Sequence, residues 1–162
     1  EMFPVLKKWN PGGPGFGRGS GPTIFQLGEI KIGPQICYES LYPEFTSELV
    51  SRGAQILVNL TNDSWFGPGF EPRQHMIMTL ARGIEARRPL IRSTNTGITT
   101  AILADGTQLE RSPTFTEWAH VFSIPYRENP PLTFYTRYGN FLPFVILLGA
   151  AIVLLLGKVR RP

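Results

Sequence analysis

Short apolar–polar alternation gives way to helical spacing as the chain proceeds. Thr23-Ile24-Phe25-Gln26-Leu27 and Ile30-Lys31-Ile32 flank Gly28-Glu29, the pattern of a hairpin with its turn at the glycine. The second strand should continue to Ile36 and deliver Cys37 at its end. Pro34 removes a ladder donor within it, so an edge or a bulge is expected there. Pro43 can open a helix at its first turn, Phe45 and Leu49 lie one turn apart, and Arg52-Gly53 supplies a stop. Ala54 to Leu60 (AQILVNL) is a near-continuous apolar run, which predicts a strand covered on both faces. Pro72 opens a second helix, in which Ile77, Leu80, Ala81 and Ile84 fall at the spacing of one buried stripe. Pro89 ends it. Leu90 to Ser93 reads as a strand, Ile98 to Leu109 as a hairpin around Asp105-Gly106, and Glu117 to Ile124 as a final strand. Alternating strands and helices followed by hairpins describe a mixed α/β sandwich.

The far end of the chain has a different pattern. Phe141 to Gly157 (FLPFVILLGAAIVLLLG) carries no charge, and its 17 residues span about 25 Å as a helix, the short end of what a bilayer core requires. Phe134, Tyr135 and Tyr138 precede it as an interfacial aromatic belt, and Lys158, Arg160 and Arg161 follow it. A buried core helix is the alternative, but the run is apolar on every side. The expectation is a transmembrane helix within residues 133–162, with a short basic cytoplasmic tail. Residues 1–132 would then lie across the membrane, outside the cytoplasm, which in a bacterium is the periplasm.

Composition narrows the function classes. The 162 residues hold 17 glycines and 15 prolines, and only 17% are charged, so turns are many and long polar helices few. Lys7 to Pro22 is dominated by glycine and proline and reads as a long exposed loop. Net charge is +4, yet the basic residues are scattered and not interleaved with aromatics, which argues against a nucleic-acid partner. Cys37 is the single cysteine, which excludes an internal disulfide, and no Cys/His cluster has metal-ligand spacing. His75 and His120 stand alone in sequence. Glu1-Met2-Phe3-Pro4 reads like the middle of a longer protein.

Cys37 carries the candidate chemistry. Gln35-Ile36-Cys37-Tyr38-Glu39-Ser40 places a thiol between a strand end and a helix start, where free backbone N–H groups can hold an oxyanion and lower a thiol pKa. A lone cysteine at a strand end is also a common small core residue. The surrounding residues distinguish these readings. Cys37-Tyr38-Glu39, Asn59-Leu60-Thr61-Asn62-Asp63-Ser64-Trp65-Phe66-Gly67, Gln74-His75, Ala81-Arg82, Glu85, Arg87-Arg88-Pro89 and Thr94-Asn95-Thr96-Gly97 together resemble the nitrilase superfamily. Thr133-Phe134-Tyr135-Thr136-Arg137-Tyr138-Gly139 is similar to the apolipoprotein N-acyltransferase family within it.

That resemblance implies part of a nitrilase-like α-β-β-α sandwich followed by a transmembrane helix. It also implies ping-pong acyl transfer. A cysteine thiolate takes a fatty acyl chain from a phospholipid as a thioester and passes it to the N-terminal amine of a diacylglyceryl-cysteine lipoprotein. The implied triad is Glu-Lys-Cys, with no metal and no cofactor, and the implied enzyme is a monomer at the bilayer. Only the cysteine of that triad falls in this sequence, as Cys37; Lys7, Lys8 and Lys31 do not match the lysine. Glu1 matches a second active-site glutamate. The chain by itself is therefore expected to be inactive. Tyr38 would offer its N–H to the oxyanion and Glu39 would brace the loop. Trp65 and Phe66 would meet acyl chains or membrane, or plug the core. Asn95 and Arg92 would shape the site floor or pair with a headgroup, Arg92 more as a paired structural charge. Two other functions fit the same residues: a nitrilase-type amidase hydrolysing C–N bonds, and a non-catalytic membrane-tethered module.

Overall fold

The computed structural model describes residues 19–159, with side-chain burial through residue 156. Glu1, most of the glycine-rich loop and the last basic residues lie outside the described residues. Five strands form one mixed sheet in the order β1-β2-β3-β4-β5. The predicted hairpin is present: β1 (Phe25–Leu27) and β2 (Ile30–Ile36) pair antiparallel, with Leu27 opposite Ile30. Strands β2, β3 (Ile56–Thr61) and β4 (Leu90–Thr94) are parallel, and β5 (Thr100–Ile102) returns antiparallel to β4. Among the described residues, β1 pairs only as far as Ile32, so β2 is an edge strand at Pro34. The missing donor therefore has no ladder to interrupt on that side.

Two crossovers build the helical layer. A 3₁₀ turn (Cys37–Leu41) and α1 (Pro43–Ser51) join β2 to β3, and α2 (Glu71–Ala86) joins β3 to β4. Successive right-handed crossovers in strand order put both helices on one face, where they touch each other. Leu49 and Val50 of α1, Met76, Leu80 and Ala86 of α2, and Leu57, Leu90 and Ile102 of the sheet form the core between them. Arg88 locks the end of α2 in place. It is buried, and its guanidinium donates to the carbonyls of Ala54, Ala86, Arg87, Pro130 and Pro131.

Several expectations are corrected. The buried stripe of α2 is Pro72, His75, Met76, Thr79, Leu80, Gly83 and Ala86, whereas Ile77 and Ile84 are 51% and 53% exposed. Gly83 sets this rotation, since a Cβ there would lie 2.9 Å from Ile102 Cγ2 and 3.1 Å from Leu90 Cβ. His75 and Thr79 turn inward because buried charges from the sheet enter the same layer. Strand β3 is only partly covered on its second face: α1 and α2 cover one side, while on the other Ile56 is buried but Leu60 and its neighbour Ile36 are 48% and 56% exposed. The described residues thus form one helical layer on one sheet, as expected of part of an α-β-β-α sandwich. Residues 117–124 form no strand. They keep the alternation, with Trp118 stacked on His120 and Val121 93% exposed, but no neighbouring strand bonds to them.

Residues 133–159 also depart from a single transmembrane helix. The structure holds a short α3 (Phe134–Tyr138) and then α4 (Leu142–Val159). Thr133 caps α3 by accepting from the Thr136 N–H, and its hydroxyl donates to the Glu85 carbonyl, which ties α3 to α2. Gly139, at φ +60°, ends α3 in a conformation that suits glycine. Among the described residues, no helix is long and apolar enough to cross a membrane. The 18 residues of α4 rise about 27 Å against a bilayer core of about 30 Å. Its side chains, including Phe144, Leu147, Val153 and Leu154, are exposed, so it is not the buried core helix either.

Candidate active site

Strand β2 ends where its parallel neighbours end, and Cys37 takes the first position beyond it. Its φ of +51° is left-handed, a region that costs a non-glycine residue about 1–3 kcal/mol and persists only where the surroundings impose it. Three hydrogen bonds do so. The Glu39 carboxylate accepts from the Ile36 N–H at 2.7 Å. Ser40 Oγ and Asn59 Nδ2 both donate to the Cys37 carbonyl, each at 3.1 Å. The side chain of Cys37 is half-buried and free. The sharp turn presents the thiol at the sheet edge, followed by the unbonded N–H groups of a helical first turn.

Beneath the turn lies a polar network that the sequence reading did not assemble. Gln35, Ser40, Asn59, Asp63, Thr79 and Arg92 are fully buried, and His75 nearly so. Arg92 Nη2 donates to Asp63 Oδ2 at 2.6 Å, and Nη1 donates to Asn59 Oδ1 at 2.7 Å and Thr79 Oγ1 at 3.2 Å. His75 Nδ1 lies 3.0 Å from Asp63 Oδ1; an ionised carboxylate only accepts, so the imidazole donates there. Burial alone would raise the Asp63 pKa, but the His75 hydrogen bond and the Arg92 charge outweigh it and hold the carboxyl below its ordinary value. Burial lowers the Arg92 pKa, against the opposing pull of Asp63 and Cys37. Arg92 is thus a paired structural charge, with no headgroup-facing donor on the surface. His75 is not isolated in space, although it is in sequence.

Gly97 leaves room for this ion pair. A Cβ there would collide with Asp63 Oδ2 and come within 2.8 Å of Asp63 Cγ. Asp63 cannot yield without loosening Arg92, so Gly97→Ala should destabilise the full-length protein by about 1–3 kcal/mol, as overpacking does. A denaturant midpoint unchanged in that variant would show that the β4–β5 loop gives way instead.

The remaining expected residues separate into inward and outward groups. Phe66 turns in, with its ring centroid 5.9 Å from both Tyr38 and His75, while Tyr38 packs on His75 at 4.8 Å. Trp65 turns out and is 84% exposed. Asn95 ties two loops together: its Oδ1 accepts from the Asp63 N–H at 3.1 Å and its Nδ2 donates to Asn62 Oδ1 at 2.7 Å. It also lines an open cavity of about 540 Å³ with Thr94, Gly97, Ser112 and Trp118, a cavity that excludes Cys37. Among the described residues, no group of three or more His, Cys, Asp or Glu could hold a metal ion. Asn59 breaking an apolar strand, and His75 and Thr79 one turn apart beside Met76 and Leu80, were the available signals of the network.

The chain has relatives among known proteins. The carbon-nitrogen hydrolase profile matches residues 4–123. The chain belongs to the carbon-nitrogen hydrolase family. Among curated members it is 54% identical, over 94% of its length, to the apolipoprotein N-acyltransferase of Bdellovibrio bacteriovorus, of which it covers 29%. It is 35% identical, over 99% of its length, to the apolipoprotein N-acyltransferase of Geobacter metallireducens, of which it covers 30%. The chain therefore spans less than a third of these relatives. Among solved structures, the carbon-nitrogen hydrolase of Helicobacter pylori superposes with a TM-score of 0.55 at 16% identity, over 62% of this chain and 42% of that one. At that identity the likeness concerns the family's fold alone.

Proposed function

We propose that this chain carries the nucleophile of a membrane-bound N-acyltransferase that acylates lipoproteins. The observation that carries the reading is the setting of Cys37. Its thiol sits on a constrained turn flanked by exposed apolar side chains, namely Ile36 and Tyr38 on either side of it in sequence and Leu60, which pairs with Ile36 from β3. Such a rim suits a fatty acyl ester and is wasteful for a small polar amide. The similarity to two apolipoprotein N-acyltransferases supports the same choice.

In this reading the Cys37 thiolate attacks the ester carbonyl of a phospholipid. The C–O bond breaks, the base returns to the departing lysophospholipid oxygen the proton it took from the thiol, and a thioester remains on Cys37. The N-terminal amine of a diacylglyceryl-cysteine lipoprotein then attacks the thioester; the C–S bond breaks, the amine proton passes to a base, and an amide forms. The base and a lysine for the oxyanion belong to the longer protein, with Glu1 as a further active-site glutamate. The Tyr38 N–H is the oxyanion donor closest in sequence. Helix α4 rests against the bilayer of the bacterial inner membrane, with the sheet domain on the periplasmic side. Its exposed apolar surface and the aromatic cluster of Phe134, Tyr138 and Phe141 at its start support contact with a bilayer.

The test is transfer of a labelled acyl chain from phospholipid to a lipopeptide amine by the full-length protein in membranes. Ammonia release from small amides without acyl transfer would instead favour an amidase. Trp65→Ala should weaken lipid use about tenfold, as loss of a large exposed apolar contact does. Its reactivity toward a small thiol reagent should stay unchanged. Equal loss of both activities would assign Trp65 a packing role.

A further inference from the structure

We propose that Asn59 and Arg92 are positioning residues, which fix the Cys37 carbonyl and through it the direction of the thiol. Asn59 Nδ2 donates to two carbonyls, those of Gln35 at 3.2 Å and Cys37 at 3.1 Å, so one amide pins both sides of the turn. An amide can flip, and only the orientation with nitrogen toward the carbonyls does this. Arg92 decides the orientation. A guanidinium has donors only, and Nη1 sits 2.7 Å from Asn59 Oδ1.

A second arm reaches the same carbonyl. Arg92 Nη1 donates to Thr79 Oγ1, Thr79 Oγ1 and Ser40 Oγ are 2.9 Å apart, and Ser40 Oγ donates to the Cys37 carbonyl. With Arg92 donating at one end, each hydroxyl proton points onward, so both arms run in one direction and converge on one oxygen. Asp63, on the other guanidinium nitrogen at 2.6 Å, holds the origin of both arms still. These side chains are fully buried, so solvent does not substitute for a lost partner. The carbonyl they grip belongs to a residue with positive φ, whose side-chain direction depends on how that peptide is held.

The test uses the full-length protein in membranes and two readouts. One is the pH profile of Cys37 alkylation by iodoacetamide, and the other is kcat and KM for acyl transfer. Asn59→Asp keeps the volume and the acceptor for Arg92 but replaces the donor to the two carbonyls. The expected result is alkylation slowed about tenfold across the profile, with kcat lowered to match and the phospholipid KM unchanged. Ser40→Ala removes one donor with almost no change in volume, and should slow alkylation by a smaller factor if Asn59→Asp fails to fold. Only the kcat readout rests on the acyl-transfer reading. Slowed alkylation in a protein that transfers no acyl chain would keep the positioning role and sink that reading. Wild-type alkylation and kcat in a folded Asn59→Asp or Ser40→Ala protein would overturn the proposal.

Discussion

Replacing Cys37 with alanine in the full-length protein is expected to reduce the acyl-enzyme to background while the unfolding midpoint holds. The sulfur is the only thiol in the chain, and removing a nucleophile commonly costs several orders of magnitude in turnover. Stability should hold because the bonds that impose the turn involve the backbone at Cys37 rather than its side chain. The residue is half-buried, so the space left by Sγ opens to solvent instead of forming a sealed cavity. The measurement is labelled acyl chain retained on denatured protein and released by hydroxylamine. Wild-type levels of that adduct in Cys37→Ala would remove the nucleophile from this residue.

Asp63→Ala is expected to have the largest effect on stability. It strands Arg92, a fully buried guanidinium, and breaking one side of a buried ion pair costs about 3–5 kcal/mol. It also removes the acceptor of His75 Nδ1. The same pair gives the protein a definite response to acid. The folded-state pKa of Asp63 lies below its ordinary value because the His75 bond and the Arg92 charge overcome burial. Its stabilisation is therefore complete above the unfolded value of about 3.9 and is lost as pH falls through the folded value. Denaturant titrations of the wild type should show stability declining below about pH 4, more steeply than in Asp63→Ala. Parallel declines in the two proteins would show that other carboxylates govern acid unfolding.

Local chemistry left its mark on the sequence wherever one element could be read alone. The β1–β2 hairpin, the proline-started helices α1 and α2, and the strand that ends at Cys37 were all legible from turn residues and spacing. So was the family, because an unusual run of residues around Cys37, Asn59 to Gly67 and Thr94 to Gly97 marks it. The outer positions of α2 were misread because Ile77 and Ile84 satisfy helical periodicity as well as the true stripe does. Period alone does not say which face meets the sheet. Residues 117–124 alternate like a strand, yet alternation supplies no hydrogen-bond partner.

Side-chain convergence depends on the tertiary structure. Asp63, His75, Thr79 and Arg92 come from a loop, a helix and a strand, and only the parallel pairing of β2, β3 and β4 brings them under one turn. Parallel strands end on a common edge, and the helices between them share one face, so residues far apart in sequence meet there. The chain thus names its thiol by local pattern, while long-range pairing decides what holds that thiol in place. Burying a charge is tolerable only when several elements supply its partners at once.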